Sequence, residues 1–484
     1  MTHPLAQLLV PQLRWDPGAG FAHLGEMISD AIEIGVGGFW IVGGSRAEVS
    51  ALTQELHRRS RFPLLIAAEV DGGAGSTFRD ATGLPPLSAI AALRDGDLVR
   101  RAAKLTAREL RMLGVNWALG PVADLEREPA NPLLGSRSFG LDAQRAAEWV
   151  VEWVDACQAE GVLACVRHYP GMGRVEEDPH LAESVIGTAA GTLWADDLLP
   201  FRAAVDTGVA SIMAASVAYP TLDASGRAAA RSRPMLTELL RGELGFDGLI
   251  VSDLLSTPGL RRGDDEGIAA IEAIAAGCDL LLAPTDLDGV LEMLERAADA
   301  GMLPPDAIGD SRRRRTFWAD WGSPGPTREP TLDEVLWARQ LADTLVHPVR
   351  GVAANIGPVV DVIQVDDDAG TRWPVPSRAP LTETLKAMGL SPRVVQGPTP
   401  EGEGAVLLAL YGGPGLGKGR AGYSAETRRR VAQIIAEARQ ARRSVVVALF
   451  GPPRLAAEIP EAANVICAWN AERAMQEAAA RRLG

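Results

Sequence analysis

Cysteine is sparse in this chain, with four in 484 residues. Cys157, Cys165, Cys278 and Cys467 are scattered without a CxxC pair, and each lies in or beside apolar sequence. That distribution argues against a disulfide framework and against structural zinc, and it fits a reducing compartment. Positive charge is also short. The 48 Lys and Arg residues are outnumbered by 62 Asp and Glu, a net of -14, so the basic footprint needed for nucleic acid or an anionic membrane is missing. No apolar run approaches the ~18 residues of a membrane span. The opening MTHPLAQLLVPQLRWDPG has no basic stretch ahead of an apolar one, and Pro11 interrupts its apolar part. Repeats with a period of about 20–50 residues are absent too. These absences together predict a soluble, cytoplasmic protein with no nucleic-acid and no membrane partner.

What is present is an ordinary globular composition, 47% hydrophobic and 23% charged, able to bury a sizeable core. From about residue 35 to 300, short apolar runs alternate with longer helical patterns. The runs are Gly38–Val42, Pro63–Ala68, Val115–Leu119, Val162–Val166, Val209–Ala214, Leu249–Ser252 and Asp279–Ala283. Runs without polar alternation suit strands covered on both faces, as in a parallel sheet. With an eighth strand near Leu8–Leu13, the pattern predicts a (β/α)8 TIM-like barrel over residues 1–325, although an open sheet shares the same periodicity. Trp318–Pro330, rich in Pro and Gly, reads as a boundary, and residues 326–345 as a linker helix. Residues 346–484 carry a second pattern, with strands at Val359–Val365, Arg393–Gln396, Ala405–Tyr411, Ser444–Phe450 and Asn464–Trp469 and a helix at Ala425–Ala441. A smaller α/β sandwich is expected there.

Sites in such barrels gather at the carboxyl ends of the strands. Glu69, Asp124, Arg167, His168, Ser216 and Asp253 all follow apolar runs in this way. A loop position or helix cap would account for each one singly, but their convergence on one mouth suits a polar ligand rich in hydroxyls. Asp253 stands out, because a carboxylate at the end of a fully apolar strand is costly to bury without a role. In Asp178-Pro179-His180 an extended tripeptide would put both polar side chains on one side. Asp178 could then orient His180 for proton transfer near neutral pH. Gly412–Lys418 (GGPGLGK) has the spacing of a phosphate loop, but Gly419 stands where the metal-binding Ser or Thr belongs, so a glycine-rich surface loop is the better reading.

In this order the segments PLLIAAEVDGG, LGVNWALGPVADLEREPANPLLGSRSFG, VRHYPGMGRVEEDPH, DDLLPFRAAVDTGVASIMAA, LRGELGFDGLIVSD and AAIEAIAAGCDLLL resemble glycoside hydrolase family 3, in its β-N-acetylglucosaminidase branch. The resemblance implies a retaining exo-β-glycosidase that releases terminal N-acetylglucosamine from cell-wall-type fragments, with no cofactor and no metal. It implies Asp253 as nucleophile, His180 as acid/base with Asp178 as its partner, and Glu69, Asp124, Arg137, Arg167 and His168 as sugar-binding residues. Several positions depart from the family pattern. Glu69 replaces a shorter Asp, Thr77 an Arg, Met172 a His, Ser216 a His and Arg167 a Lys, while Pro179 replaces a small hydroxyl residue. A family 3 β-glucosaminide phosphorylase and a catalytically weak sugar-binding homologue are the alternatives. The small carbohydrate partner is implied, and the sequence is silent on oligomeric state.

Overall fold

The computed structural model describes residues 3–322, 327–352, 356–368, 375–396, 404–415 and 417–484. Two compact units result. The first comprises Met1–Thr82, Asp95–Arg127 and Phe139–Pro330, and the second Gly83–Arg94, Glu128–Ser138 and Thr331–Gly484.

In the first unit nine strands follow in chain order: β1 (Leu9–Val10), β2 (Gln12–Arg14), β3 (Gly38–Val42), β4 (Leu65–Glu69), β5 (Trp117–Leu119), β6 (Leu163–Tyr169), β7 (Ser211–Ala214), β8 (Leu249–Leu254) and β9 (Leu280–Leu282). The sheet order is β1-β9-β8-β7-β6-β5-β4-β3-β2, and all pairings are parallel. β1 and β2 are one strand interrupted at Pro11, which has no N–H to give a ladder. One half pairs with β9, at Leu9 with Leu281, and the other with β3, at Gln12 with Trp40. The interrupted strand therefore closes an eight-stave barrel.

Strands fully covered on both faces explain the unbroken apolar runs: every residue of β5, β6, β7, β8 and β9 is buried. Trp117 is wholly buried, with its indole N–H donating to the Ser211 hydroxyl at 2.9 Å, so its large ring costs no unpaired donor. Between strands, helices start at side-chain caps from Ser45, Asp95, Asp142, Asp265 and Asp286, each accepting an otherwise orphaned N–H. Trp149 and Trp153, one turn apart, are both buried on the helix Ala143–Ala159. All four cysteines are buried and free.

The second unit holds β10 (His347–Arg350), β11 (Val359–Asp366), β12 (Ser391–Val395), β13 (Ala405–Tyr411), β14 (Val445–Phe450) and β15 (Val465–Cys467), in the order β10-β15-β14-β13-β11-β12. Only β10 runs antiparallel. It was not expected from the sequence, since HPVR has neither length nor apolar character. The helix Leu332–Leu345 belongs to this unit, where its Asp343 pairs with Arg481 at 2.7 Å and its Leu345 carbonyl accepts from Trp469. Trp318–Trp321, read as part of the boundary, is instead the last turn of the helix Pro305–Trp321. Residues 323–326 of that stretch lie outside the described residues.

Candidate active site

β6, β7 and β8 are adjacent and parallel, so their carboxyl ends share one face of the barrel. Asp253 lies within β8 rather than after it, and is only 4% exposed. Its Oδ2 accepts from the Ser216 hydroxyl at 2.6 Å, just past β7, and its Oδ1 from the Leu254 N–H at 2.8 Å. Both carboxylate oxygens are thus held from the neighbouring strand end and from its own. Ser216 stood out in the sequence as a strand-end polar residue and as a departure from the family pattern, without a partner; it is the side chain that steadies Asp253.

Asp178 and His180 lie on the loop after β6. The Nδ1 of His180 is 2.8 Å from Asp178 Oδ1, and that same oxygen accepts the His180 backbone N–H at 2.9 Å. The contact is the expected one, but the tripeptide is not extended as the sequence suggested. Leu181 and Ala182 donate to the Asp178 carbonyl, so the segment is a turn opened by an aspartate that bonds the N–H two residues on. Asp and Pro are favoured at its first two positions. The Asp178 side chain is fully shielded, and that of His180 nearly so. A carboxylate on Nδ1 fixes the tautomer and leaves Nε2 as the proton-exchanging position.

Arg167 and His168 do not follow β6 but belong to it, joined by a cis peptide. The Arg167 side chain, 1% exposed, forks between Glu69 and Asp71, with Nη2 to Asp71 Oδ1 at 2.6 Å. Burial opposes its charge, but Asp71 and Glu69 outweigh that and raise its pKa. Asp71 was missed in the sequence, although its i, i+2 spacing from Glu69 was the available signal. The Thr77 hydroxyl donates to the Glu69 carbonyl, so Thr77 ties down backbone where an arginine was expected.

Asp124 sits one layer behind. Its Oδ2 lies 2.7 Å from His168 Nδ1, and its Oδ1 accepts from the His168 and Met172 N–H groups. It therefore orients His168, and through Met172 it holds the Pro-Gly turn. The turn lies against backbone: a Cβ on Gly173 would come 1.7 Å from the Leu125 carbonyl oxygen, which only glycine avoids. Arg137 falls in the segment Glu128–Ser138 of the second unit, next to Ser136, whose carbonyl accepts from the Ser88 hydroxyl at 3.1 Å.

The Gly412–Lys418 loop offers no phosphate cradle in the described residues. The Lys418 side chain is buried, pairing with Asp367 at 3.1 Å and donating to the Gly412 and Gly413 carbonyls. Leu416 lies outside the described residues.

Residues 26–316 match the glycosyl hydrolase family 3 N-terminal domain. A beta-N-acetylglucosaminidase/beta-glucosidase of Cellulomonas fimi is 35% identical over 289 residues, covering 58% of this chain and 51% of that protein. The match thus spans about half of that relative's length. A beta-hexosaminidase of Bordetella avium is 33% identical over 289 residues, 58% of this chain and 81% of its own. A glycoside hydrolase family 3 beta-N-acetylglucosaminidase from Paenibacillus sp. str. FPU-7 superposes with a TM-score of 0.84 at 25% identity, covering 99% of this chain and 95% of that one. With the family domain matched across all of the barrel but its interrupted first strand, and the carboxylates and histidines gathered at its strand ends, the chain belongs to glycosyl hydrolase family 3 and is a glycoside hydrolase.

Proposed function

We propose that the protein is a retaining exo-β-N-acetylglucosaminidase. The observation that carries this reading is the buried Asp178–His180 hydrogen bond on the loop beside a doubly held Asp253. Asp253 attacks the anomeric carbon of a terminal β-linked sugar while His180 Nε2 gives its proton to the departing oxygen. A covalent glycosyl-aspartate forms and the aglycone leaves. His180 then takes a proton from water as the water oxygen attacks the same carbon, releasing Asp253 and the sugar with its configuration retained. Asp178 stabilises the imidazolium at each protonated stage.

Glu69, Arg167 and His168 are the proposed sugar contacts, with Asp124 acting through His168. The Paenibacillus structure is called an N-acetylglucosaminidase and the Bordetella relative a hexosaminidase, which supports an N-acetylated amino sugar, such as one from a cell-wall fragment. The Cellulomonas relative is named for both N-acetylglucosaminidase and beta-glucosidase, which keeps the glucoside in the test. The test is hydrolysis of aryl N-acetyl-β-glucosaminide, β-glucoside and β-xyloside by the wild type and Asp253→Asn. The N-acetylglucosaminide should turn over fastest, and the variant should lose at least about a thousandfold, as removal of a covalent nucleophile does. Equal rates for the two proteins refute the assignment. Sugar 1-phosphate formed on adding phosphate would replace hydrolysis by phosphorolysis.

A further inference from the structure

The turn after β8 links the two halves of this machinery. Its short helix runs Pro258–Arg261. Within it the Gly259 N–H donates to the Pro179 carbonyl at 2.9 Å. A Cβ on Gly259 would lie 2.5 Å from the Ser216 carbonyl oxygen and 2.8 Å from Pro179 Cβ. This glycine is therefore wedged between the centre of the Asp178–His180 turn and the residue whose hydroxyl holds Asp253. Arg262 adds a second tie, pairing with Glu183 further along the same loop at 2.9 Å.

On its other side the turn is gripped by Arg231, which is 5% exposed. Its Nη1 donates to the Leu260 carbonyl at 2.9 Å and the Arg261 carbonyl at 2.6 Å. Its Nη2 pairs with Asp264 at 2.5 Å and Glu272 at 2.7 Å, and its Nε donates to Glu272 at 2.9 Å. None of these partners is Asp253, Asp178 or His180. Asp264 and Glu272 are themselves partly exposed, so these ion pairs are a modest source of stability. The directional bonds from Arg231 to backbone carbonyls do fix a chain path.

We infer that Gly259 and Arg231 are positioning residues: by holding the turn after β8 against Pro179, they set where His180 stands relative to Asp253. The inference rests on the roles proposed above for those two residues. Arg231 fixes the Leu260 and Arg261 carbonyls, these fix Gly259, and Gly259 seats the proline between Asp178 and His180.

Gly259→Ala and Arg231→Met test this with two N-acetyl-β-glucosaminides, one with a methyl aglycone and one with a dinitrophenyl aglycone. A methoxide must be protonated as it leaves, whereas a dinitrophenolate need not be. A displaced imidazole therefore lowers kcat/KM for the methyl substrate by about a hundredfold, the scale of a ~1 Å misplacement, and hardly changes it for the dinitrophenyl substrate. With the latter, kcat and KM fall together, because slow base catalysis lets the glycosyl-enzyme accumulate. Glu183→Gln, at the more exposed tie, should show the same pattern at roughly threefold to tenfold, and covers the case in which the buried variants fail to fold. Equal losses on both substrates, or unchanged kinetics in all folded variants, overturn the inference. If Asp253→Asn is inactive while those variants behave as wild type, only the positioning role fails. A wild-type rate in Asp253→Asn overturns both readings.

Discussion

Asp178→Asn isolates the charge of the dyad from its shape. Asparagine keeps an oxygen able to accept both the His180 N–H and Nδ1–H, so the turn should survive. What disappears is the negative charge facing the imidazolium. Hydrogen-bond arithmetic alone sets a floor of ~1–2 kcal/mol, the difference between a charge-assisted and a neutral bond. The Coulomb term is larger, about 4 kcal/mol at ~4 Å and an effective dielectric of ~20. It is the better guide because the Asp178 side chain is fully shielded from water. The expected loss is thus about a hundredfold to a thousandfold in steps where His180 moves a proton. Stopped-flow release of dinitrophenol should show a burst followed by a slow steady state, since the first step needs no acid and the second needs the base. A steady-state loss below about threefold in a protein of unchanged melting temperature would refute the electrostatic role. So would loss of the burst step itself.

Three further outcomes follow from the geometry. Arg167→Lys replaces a fork by a point charge that reaches one of Glu69 and Asp71, and should cost about 2 kcal/mol of stability in urea unfolding, with a raised KM; an unchanged midpoint would contradict the bridging role. Burial opposes ionisation of Asp367, but the Thr427 hydroxyl, Lys418 and Arg420 outweigh it and hold the carboxyl at about 2. Because that value lies below the ordinary ~4, its stabilisation is fully present above pH ~4 and is lost as the pH falls towards 2. Acid titration followed by near-ultraviolet circular dichroism should show the second unit of Asp367→Asn without this dependence. Burial raises all four thiols, Cys165 and Cys467 to about 12, so a disulfide reagent at pH 8 should label none in the native protein and four on unfolding.

How far the sequence could be read depended on which residues were paired locally and which at a distance. The strands β3 and β13 were bounded correctly because unbroken apolar runs, GFWIV and AVLLALY, carry their own edges. β6 was cut short at Val166, because Arg167 and His168 look like loop residues. Only the distant Glu69, Asp71 and Asp124 make it affordable to bury them in a strand. The Asp178–His180 contact was legible because it is two residues long, although its turn geometry was not. Ser216 on Asp253 spans 37 positions, and no local pattern announces it. Lys418 was read as surface for the same reason, since its partner Asp367 lies on another strand's end.

The second unit is not a continuous stretch of chain. Two inserts from the barrel's sequence, Gly83–Arg94 and Glu128–Ser138, are integral to it, and the Gly415 N–H donates to the Pro132 carbonyl at 2.8 Å. A gene cut near residue 330 would therefore divide the polypeptide without dividing the molecule. The downstream fragment would lack material it packs against, and the upstream one would carry two severed arms. Anyone wishing to swap, delete or transplant this half among relatives has three pieces to move, not one.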